Sequence, residues 1–370
     1  MQSRYWSRRR KWLAVVLVVI GVVAMAFTAN NQQLYERPIA RVEAVHSGAV
    51  QKTTDQFQNV DHQRQQTLKV RLLNTEYRGQ TFSLSNTYSD SQPMDQKFHR
   101  GDQIFLTQLK KSHGQFSANI SGYKRDTVVV FMLWLLSFML IMMMGKAGSL
   151  ALISVVINTI LFILAISIDL KNNGEHVMAI FVTLAIIFTG VSLLLILGPT
   201  KKMLATFAST VLGTFAALGV SLIVFSLTHE RGVYYESMQY VTQVPRPLFL
   251  AETLLGSLGA VMDESTDIIS TLFELKTLNP EVTSKELFIS GKNVGKSIMG
   301  PLVNVLFLIF MADTFTSSLL YLKNGNSWGY TFAMNMSLGT VQSLVSGIGI
   351  VLAVPLVSAF GAMLLGRREK

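Results

Sequence analysis

Three of the four carboxylates within one apolar stretch, residues 247–270, are the groups best suited to carry chemistry. Each residue of an α-helix turns about 100° around the axis, so Glu252, Asp263 and Asp267 share one side of a helix. The opposite side of that helix is apolar. A polar stripe on a membrane helix faces the bundle interior or a water-filled cavity. Carboxylates bind hard cations and also exchange protons, so the stripe predicts a cation or proton path.

A second interpretation places the same carboxylates in water. Glu252 then lies at the outer interface, and Asp263, Glu264 and Asp267 have already emerged into the cytoplasm. Both interpretations stay open, and Asp263 is the residue expected to be embedded. Transport requires an Asp263 that is embedded in the membrane, whereas a purely structural function of the protein is compatible with either position of Asp263.

The following apolar stretches add Asn304, Asp313 and Gln342 as candidate residues of the path. Asn304 and Asp313 are nine residues apart and lie on opposite faces of a regular helix. The pair Gly300–Pro301 predicts a kink or a break before Asn304, and a break would allow both residues to line one pore. Asn304 is expected either to hydrogen-bond to Asp263 or only to join two helices. Gln342 is expected either to contribute only to helix packing or to add a polar group to the path.

One further pattern predicts packing and no site. Small residues recur every four positions on one predicted helix, and such a ridge allows helices to approach closely. The residues of this ridge are Ala205, Ser209, Gly213, Ala217 and Ser221.

The sequence has no recognisable catalytic or metal-binding motif. It contains no cysteine, which excludes disulfides and thiolate sites, and it contains neither HExxH nor GxSxG. Residues 291–297 end like a phosphate-binding loop, but only three residues separate Gly291 from Gly295 where the motif needs four. We therefore predict no cofactor, no resident metal and no enzymatic activity.

The distribution of apolar and charged residues predicts a polytopic α-helical membrane protein. Hydrophobic residues make up 50% of the chain and charged residues only 15%, whereas soluble proteins carry charges at about a quarter of their positions. Stretches long enough to cross roughly 30 Å of hydrocarbon predict about eight transmembrane helices. Their ranges are 13–27, 127–145, 148–168, 176–197, 203–227, 247–270, 298–321 and 336–364.

The net charge of +10 has a positional explanation. Basic residues cluster near both termini and in alternate short loops, for example at Lys146, Lys202 and Lys292. This is the positive-inside bias, and it places both termini in the cytoplasm. The lipid bilayer, and not a nucleic acid, is therefore the expected partner of the basic residues.

The polar residues between the first two apolar stretches predict a domain outside the membrane. Apolar and polar residues alternate over 67–73, 80–84 and 102–109, and Gly79 and Gly101 mark turns. About five strands in this segment favour a small β-barrel-like domain of OB type.

These elements predict three parts of the chain: a cytoplasmic basic N-terminus with a first transmembrane anchor (1–28), the extracytoplasmic β-rich domain (29–125) and a seven-helix membrane domain (126–370). An uncleaved anchor is favoured for the first part, but cleavage as a signal peptide stays open.

The carboxylate-bearing stretch resembles a known family. The resemblance rests on residues 256–263, 270–275, 279–280, 286–296 and 298–300, with Asn304 after them. Their order and spacing over about residues 125–365 resemble the YibE/F-like membrane proteins of bacteria, and the β-domain fits the longer members. This chain departs from the family pattern at Glu264 and Pro301. The resemblance implies a bacterial cell-membrane protein with a paired family member or a second copy as partner.

The residues and the resemblance together favour a permease or an export-system subunit for a small solute or ion. The alternative is a non-transporting membrane scaffold whose outer β-domain binds a partner protein or an envelope component.

Overall fold

The computed structural model describes residues 8–54, 56, 58–92, 95–112, 115–238 and 245–365. The chain divides into two compact units, residues 1–149 and 150–370. Several basic residues that support the predicted location of the termini lie outside the described residues. They are Arg4, Arg367, Arg368 and Lys370.

The first unit contains two helices and an antiparallel sheet between them in sequence. Its elements are α1 (Arg8–Asn30), β1 (Ile39–Thr54), β2 (Val60–Leu72), β3 (Thr81–Ser89), β4 (Gln103–Ser112), β5 (Gln115–Tyr123) and α2 (Asp126–Met144). The strands are ordered β3-β2-β1-β4-β5 in the sheet. β1 pairs with β2 along most of its length, and its first three residues also pair with β4.

The core of the sheet confirms the period-two pattern of the sequence. In β2, Leu68, Val70 and Leu72 are fully buried, whereas Lys69 and Arg71 between them are exposed. Successive side chains of a strand point to opposite faces, so one face of β2 covers the core. The predicted turn glycines, at 79 and 101, both have positive φ angles, +89° and +98°.

The two edge strands of the sheet approach each other through aromatic rings. Phe116 of β5 has its ring centroid 5.5 Å from that of Phe82 in β3, and 5.2 Å from that of Tyr77 in the preceding turn. The sheet is therefore strongly curved, because its first and last strands share one side-chain cluster.

A buried asparagine fixes the chain where it enters the sheet. Asn74 is 4% exposed, and its Oδ1 accepts a hydrogen bond from the backbone N–H of Ile39 at 2.7 Å. Its amide nitrogen lies 2.8–3.1 Å from the carbonyl oxygens of Gln32, Tyr35 and Arg37. One side chain thus satisfies four backbone groups of the segment between α1 and β1.

The two helices of the first unit pack against each other through Trp134. The indole Nε1 donates a hydrogen bond to the carbonyl oxygen of Leu17 in α1, at 2.8 Å. Gly21 leaves the space for the indole ring, since a Cβ at this position would overlap it. At the start of α2, the carboxylate of Asp126 accepts hydrogen bonds from Lys124, Asn31 and Tyr35.

The second unit is helical. Its elements are α3 (Lys146–Lys171, which crosses the boundary between units), α4 (Val177–Leu197), α5 (Lys201–Thr228), α6 (Pro245–Leu278), α7 (Ser284–Lys323), α8 (Trp328–Thr331) and α9 (Ser337–Leu365). A π-helical segment, Phe332–Met336, joins α8 to α9 without interruption.

Seven helical segments of the described residues are long and apolar enough to cross a membrane, where the sequence predicted about eight. The predicted span that is absent from these seven segments is α6. This helix is continuous over 34 residues, but Glu252, Asp263 and their charged neighbours lower its hydropathy. The hairpin of α6 and α7 is also longer than the predicted spans.

Helices α5, α6 and α9 form the centre of this unit. Leu218 and Phe225 of α5 pack with Phe249 of α6, and Ala205 at the other end of α5 packs with Ile268, so α5 and α6 run antiparallel. Helix α9 runs parallel to α6, as shown by close approaches of Gly256 to Gln342 and of Gly361 to Leu272. The small-residue ridge of α5 is buried in this centre, as close approach of the helices requires.

Helix α7 does not break at Gly300–Pro301, so the predicted break is wrong, whereas the alternative of a kink stays a prediction. The helix is continuous from Ser284 to Lys323, with Pro301 inside it. Further toward its N-terminus, Gly291 and Gly295 lie against Ser358 and Val354 of α9. The glycines of the apparent phosphate-binding loop therefore serve close helix packing.

Candidate functional site

A cavity of about 630 Å³ lies between α6, α7 and the helix formed by the π-helical segment and α9. It is situated toward the start of α6 and the end of α7. Its lining residues include Glu252, Gly256, Phe310, Asp313, Asn335 and Gln342. The volume suits a small solute or a hydrated ion.

Three of the six predicted path residues meet in this cavity, one from each wall. Glu252 comes from α6, Asp313 from α7 and Gln342 from α9. Neither carboxylate forms an ion pair with a basic side chain among the described residues. Two carboxylates and an amide therefore face one space with their polar atoms available to a ligand.

The π-helical segment contributes an anchored polar residue to the cavity wall. Asn335 donates hydrogen bonds through Nδ2 to Ser318 Oγ at 2.7 Å and to the carbonyl oxygen of Thr314 at 3.2 Å, both on α7. A π-helical turn widens the backbone ring and is frequent at functional sites. In this position it ties the start of α9 to α7 beside the cavity.

Two glycines shape the cavity by letting side chains approach the helix backbones. A Cβ at Gly256 would lie 2.7 Å from Nε2 of Gln342, so the glycine leaves room for the amide. A Cβ at Gly339 would lie 2.3 Å from Cε2 of Phe310. Gly256 thus shapes the cavity wall on α6, and Gly339 shapes the wall on α9.

The remaining predicted residues do not line this cavity. Asp263 and Asp267 are exposed on the same side of α6 as Glu252, further along the helix. Asn304 is exposed on α7, and no hydrogen bond joins it to Asp263 in the described part of the chain. Asn304 and Asp313 thus point in different directions, as the unbroken helix requires.

The sequence interpretation missed Glu264, which is the buried carboxylate of α6. Its side chain is 0% exposed, and both carboxylate oxygens lack a hydrogen-bond partner among the described residues. A helical projection contains the signal, because position 264 lies about 40° from Ile268 and about 60° from Val261, at the edge of the apolar side of α6. The adjacent carboxylate, Asp263, carries the polar stripe instead.

Comparison with known proteins covers both parts of the chain. Residues 132–367 match the profile described as YibE/F-like protein. Residues 33–123 match the profile described as YibE/F family N-terminal domain. No curated protein and no solved structure matches the chain significantly.

Proposed function

The chain belongs to the YibE/F-like family, and we propose that it is a multi-pass permease or export-system subunit of the bacterial cell membrane. In this proposal the cavity between α6, α7 and α9 binds a small solute or ion during its passage. The observation that carries the proposal is the pair Glu252 and Asp313, which come from two helices, face one space and have no basic partner in the described structure.

The apolar surface of the helices supports a location in the bilayer. Helix α2 has no buried residue, and side chains such as Val128, Leu133 and Ile163 are more than half exposed. Soluble monomers rarely expose large contiguous apolar patches. In this proposal both termini are cytoplasmic, and the lysines at 146, 202 and 292 support that orientation through the positive-inside rule.

For the N-terminal sheet we propose an OB-type barrel outside the membrane. The strand order leaves β3 and β5 at the two edges, and the ring contact between Phe116 and Phe82 brings these edges together. A five-stranded, partly open barrel is the OB architecture. The fold alone does not assign a ligand to it.

The chemistry of the cavity favours a cationic or strongly polar solute. Carboxylates at its two sides attract positive charge, and the amides of Gln342 and Asn335 add hydrogen-bonding groups. We assign binding and passage to these residues and no covalent catalysis. The cavity lies toward the end of α7 at Lys323 and the start of α8 at Trp328, and in this proposal these helix ends are on the outer side.

The alternative function is a scaffold that docks a partner through the outer domain. The observation that favours it is the β1–β2 hairpin, whose residues from Ser47 to Gln51 are all exposed. Val50 and Val60 add apolar surface to this hairpin, with 50% and 53% exposure. A paired family member or a second copy of the chain is the proposed partner.

Cysteine labelling tests whether the cavity is open to water. The native chain has no cysteine, so a single one at position 342 reports without interference. Gln342→Cys is expected to react rapidly with a small charged methanethiosulfonate reagent added to intact cells. The control is Leu308→Cys on α7, which is 54% exposed and lies outside the cavity. Facing lipid, it is expected to react at least tenfold more slowly.

Neutralising variants then test passage. A deletion strain is screened for growth against panels of ions and polar toxicants, and the phenotype is complemented with the wild type. Glu252→Gln and Asp313→Asn are expected to lose complementation at normal expression. Glu274→Gln, the same change near the other end of α6, is expected to keep it. Full complementation by both cavity variants would favour the scaffold function. Asp263→Asn is a separate test: loss of complementation in this variant would indicate that the path continues along the exposed polar stripe of α6.

A further inference from the structure

We propose that Glu264 and the hydroxyl groups around it form a buried site for a small monovalent metal cation, of the sodium type, between α5 and α6. Glu264 has no exposed surface, and its two carboxylate oxygens have no hydrogen-bond partner among the described residues. A buried carboxylate is strongly unfavourable unless a positive charge or a proton neutralises it. Glu264 is twelve residues from Glu252, about 18 Å along the helix axis, so this site is separate from the cavity.

Four hydroxyl side chains on α5 and α6, all within about one turn of the level of Glu264, are buried and also lack hydrogen-bond partners in the described structure. Three are on α5 and one is on α6, and each is at most 1% exposed. They are Ser209, Thr210, Thr214 and Ser265. Buried polar atoms are normally satisfied, so unsatisfied hydroxyl oxygens at the level of an unsatisfied carboxylate favour a ligand that they share.

Most of the other buried hydroxyls of the same helices are hydrogen-bonded, the exception being Thr253 of α6. In a helix, serine and threonine usually donate to the carbonyl oxygen one turn earlier. Thr206 does so to Lys202 at 3.0 Å, and Ser221 does so to Ala217 at 2.8 Å. The hydroxyl of Thr210, between them on α5, makes no such bond, and its oxygen is available to another ligand.

The helix register brings the carboxylate and the hydroxyls to one level. A Cβ at Gly213 on α5 would lie 3.1 Å from Cγ1 of Val261 on α6. The two helices are antiparallel, so Thr210, three residues before Gly213, and Glu264, three residues after Val261, both lie one turn from this contact, on the same side of it. Helix α9 closes this junction with Ala353, whose Cβ is 3.5 Å from the same position.

The ligand set favours a monovalent metal ion over a proton or a divalent ion. Carboxylate and hydroxyl oxygens are hard ligands that suit hard cations. One carboxylate balances one positive charge, whereas a divalent ion would leave a net charge in a medium of low dielectric constant. A proton would neutralise Glu264, but a carboxyl group donates only one hydrogen bond and could therefore reach only one of the four hydroxyl oxygens as a donor.

Sodium-dependent thermal stability of the purified full-length protein in detergent tests the site. Sodium chloride replaces choline chloride at constant ionic strength. We expect the melting temperature of the wild type to rise with sodium concentration and to saturate, because an ion that binds only the folded state stabilises it. Absence of a sodium-specific rise would overturn the proposal and leave Glu264 neutralised by a proton.

Matched variants locate the effect. Glu264→Gln keeps the size of the side chain, removes its charge and is expected to abolish the sodium-dependent rise. Glu252→Gln, the same change in the cavity, is expected to retain it. An unchanged rise in Glu264→Gln would overturn the assignment. The cavity experiments do not depend on this result, so failure of one proposal is distinguishable from failure of the other.

A second pair of variants applies even where Glu264→Gln does not fold. Thr210→Val removes one unpartnered hydroxyl and is expected to raise the half-saturating sodium concentration at least tenfold. Thr206→Val removes a hydroxyl that already bonds to Lys202, one turn away on the same helix, and is expected to shift it less than twofold. Equal half-saturating concentrations in the two variants would contradict a site lined by Thr210.

Discussion

Replacing Gly295 with alanine perturbs the contact between α7 and α9, on which the geometry of the cavity depends. A Cβ at position 295 would lie 2.6 Å from each of the two γ carbons of Val354 and 3.1 Å from its Cβ. Val354 is 5% exposed, and its β-branched side chain is restricted at χ1 on a helix. The two helices must therefore move apart by several tenths of an ångström to admit one methyl group.

The expected cost combines two opposing effects. Overpacking a close contact destabilises by about 1–3 kcal/mol, whereas alanine is favoured over glycine inside a helix by about 1 kcal/mol. Gly219→Ala on α5 has the second effect alone, because nothing lies within 4 Å of a Cβ at position 219. The difference in stability between the two variants isolates the packing cost, and we expect about 1–3 kcal/mol.

Melting temperatures of the purified full-length variants in detergent measure this difference. Gly295→Ala is expected to melt below Gly219→Ala by about 2–4 °C for each kcal/mol. Adding Val354→Ala to Gly295→Ala removes both γ carbons, so the double variant should be more stable than the sum of the single effects predicts. A Gly295→Ala protein as stable as Gly219→Ala would refute the close approach of the two helices.

Two further predictions concern the outer domain and the topology. Residues 30–124 expressed alone are expected to give a soluble, β-rich fold that unfolds cooperatively. In that fragment, Asn74→Ala leaves the N–H of Ile39 without an acceptor, and this loss alone should lower the free energy of unfolding by about 1–3 kcal/mol. A helical or coil-like far-UV spectrum would contradict the predicted fold, and an unchanged denaturation midpoint would contradict the role of Asn74. A single cysteine at Asn324 should be labelled by an impermeant maleimide in intact cells, and one at Lys292 only in inverted vesicles; the reverse pattern would contradict the positive-inside orientation.

The sequence predicts the sheet well because its signal is local. Leu68, Val70 and Leu72 alternate with polar residues, and a strand has the same period of two. The turns at Gly79 and Gly101 are equally local, since each needs a backbone conformation that glycine adopts easily. The existence of the long helices follows from apolar composition for the same reason.

The assembly of the cavity could not be predicted to the same degree. Glu252, Asp313 and Gln342 were each identified as candidate polar residues, but the sequence does not contain the register of α6 against α7 and α9. That register is set by close contacts such as Gly256 with Gln342 and Gly361 with Leu272. Asp263, by contrast, shares a helix face with Glu252 and lies outside the cavity, because the cavity does not extend so far along α6.

Helix α6 is too polar to count among the seven candidate membrane spans, and the physical reason for this polarity also explains how α6 carries the proposed binding sites. A charge at the centre of a bilayer costs about 3 kcal/mol on insertion scales, so a helix with several carboxylates needs protein or water around them. Helix α6 packs against α4, α5, α7 and α9, and its carboxylate at 252 opens to the cavity. Helix α2 has no buried residue and carries its one charged residue, Asp126, at its first position. The central position of α6 therefore accounts for the buried Glu264 and the cavity for Glu252, and both proposed binding sites lie on this helix.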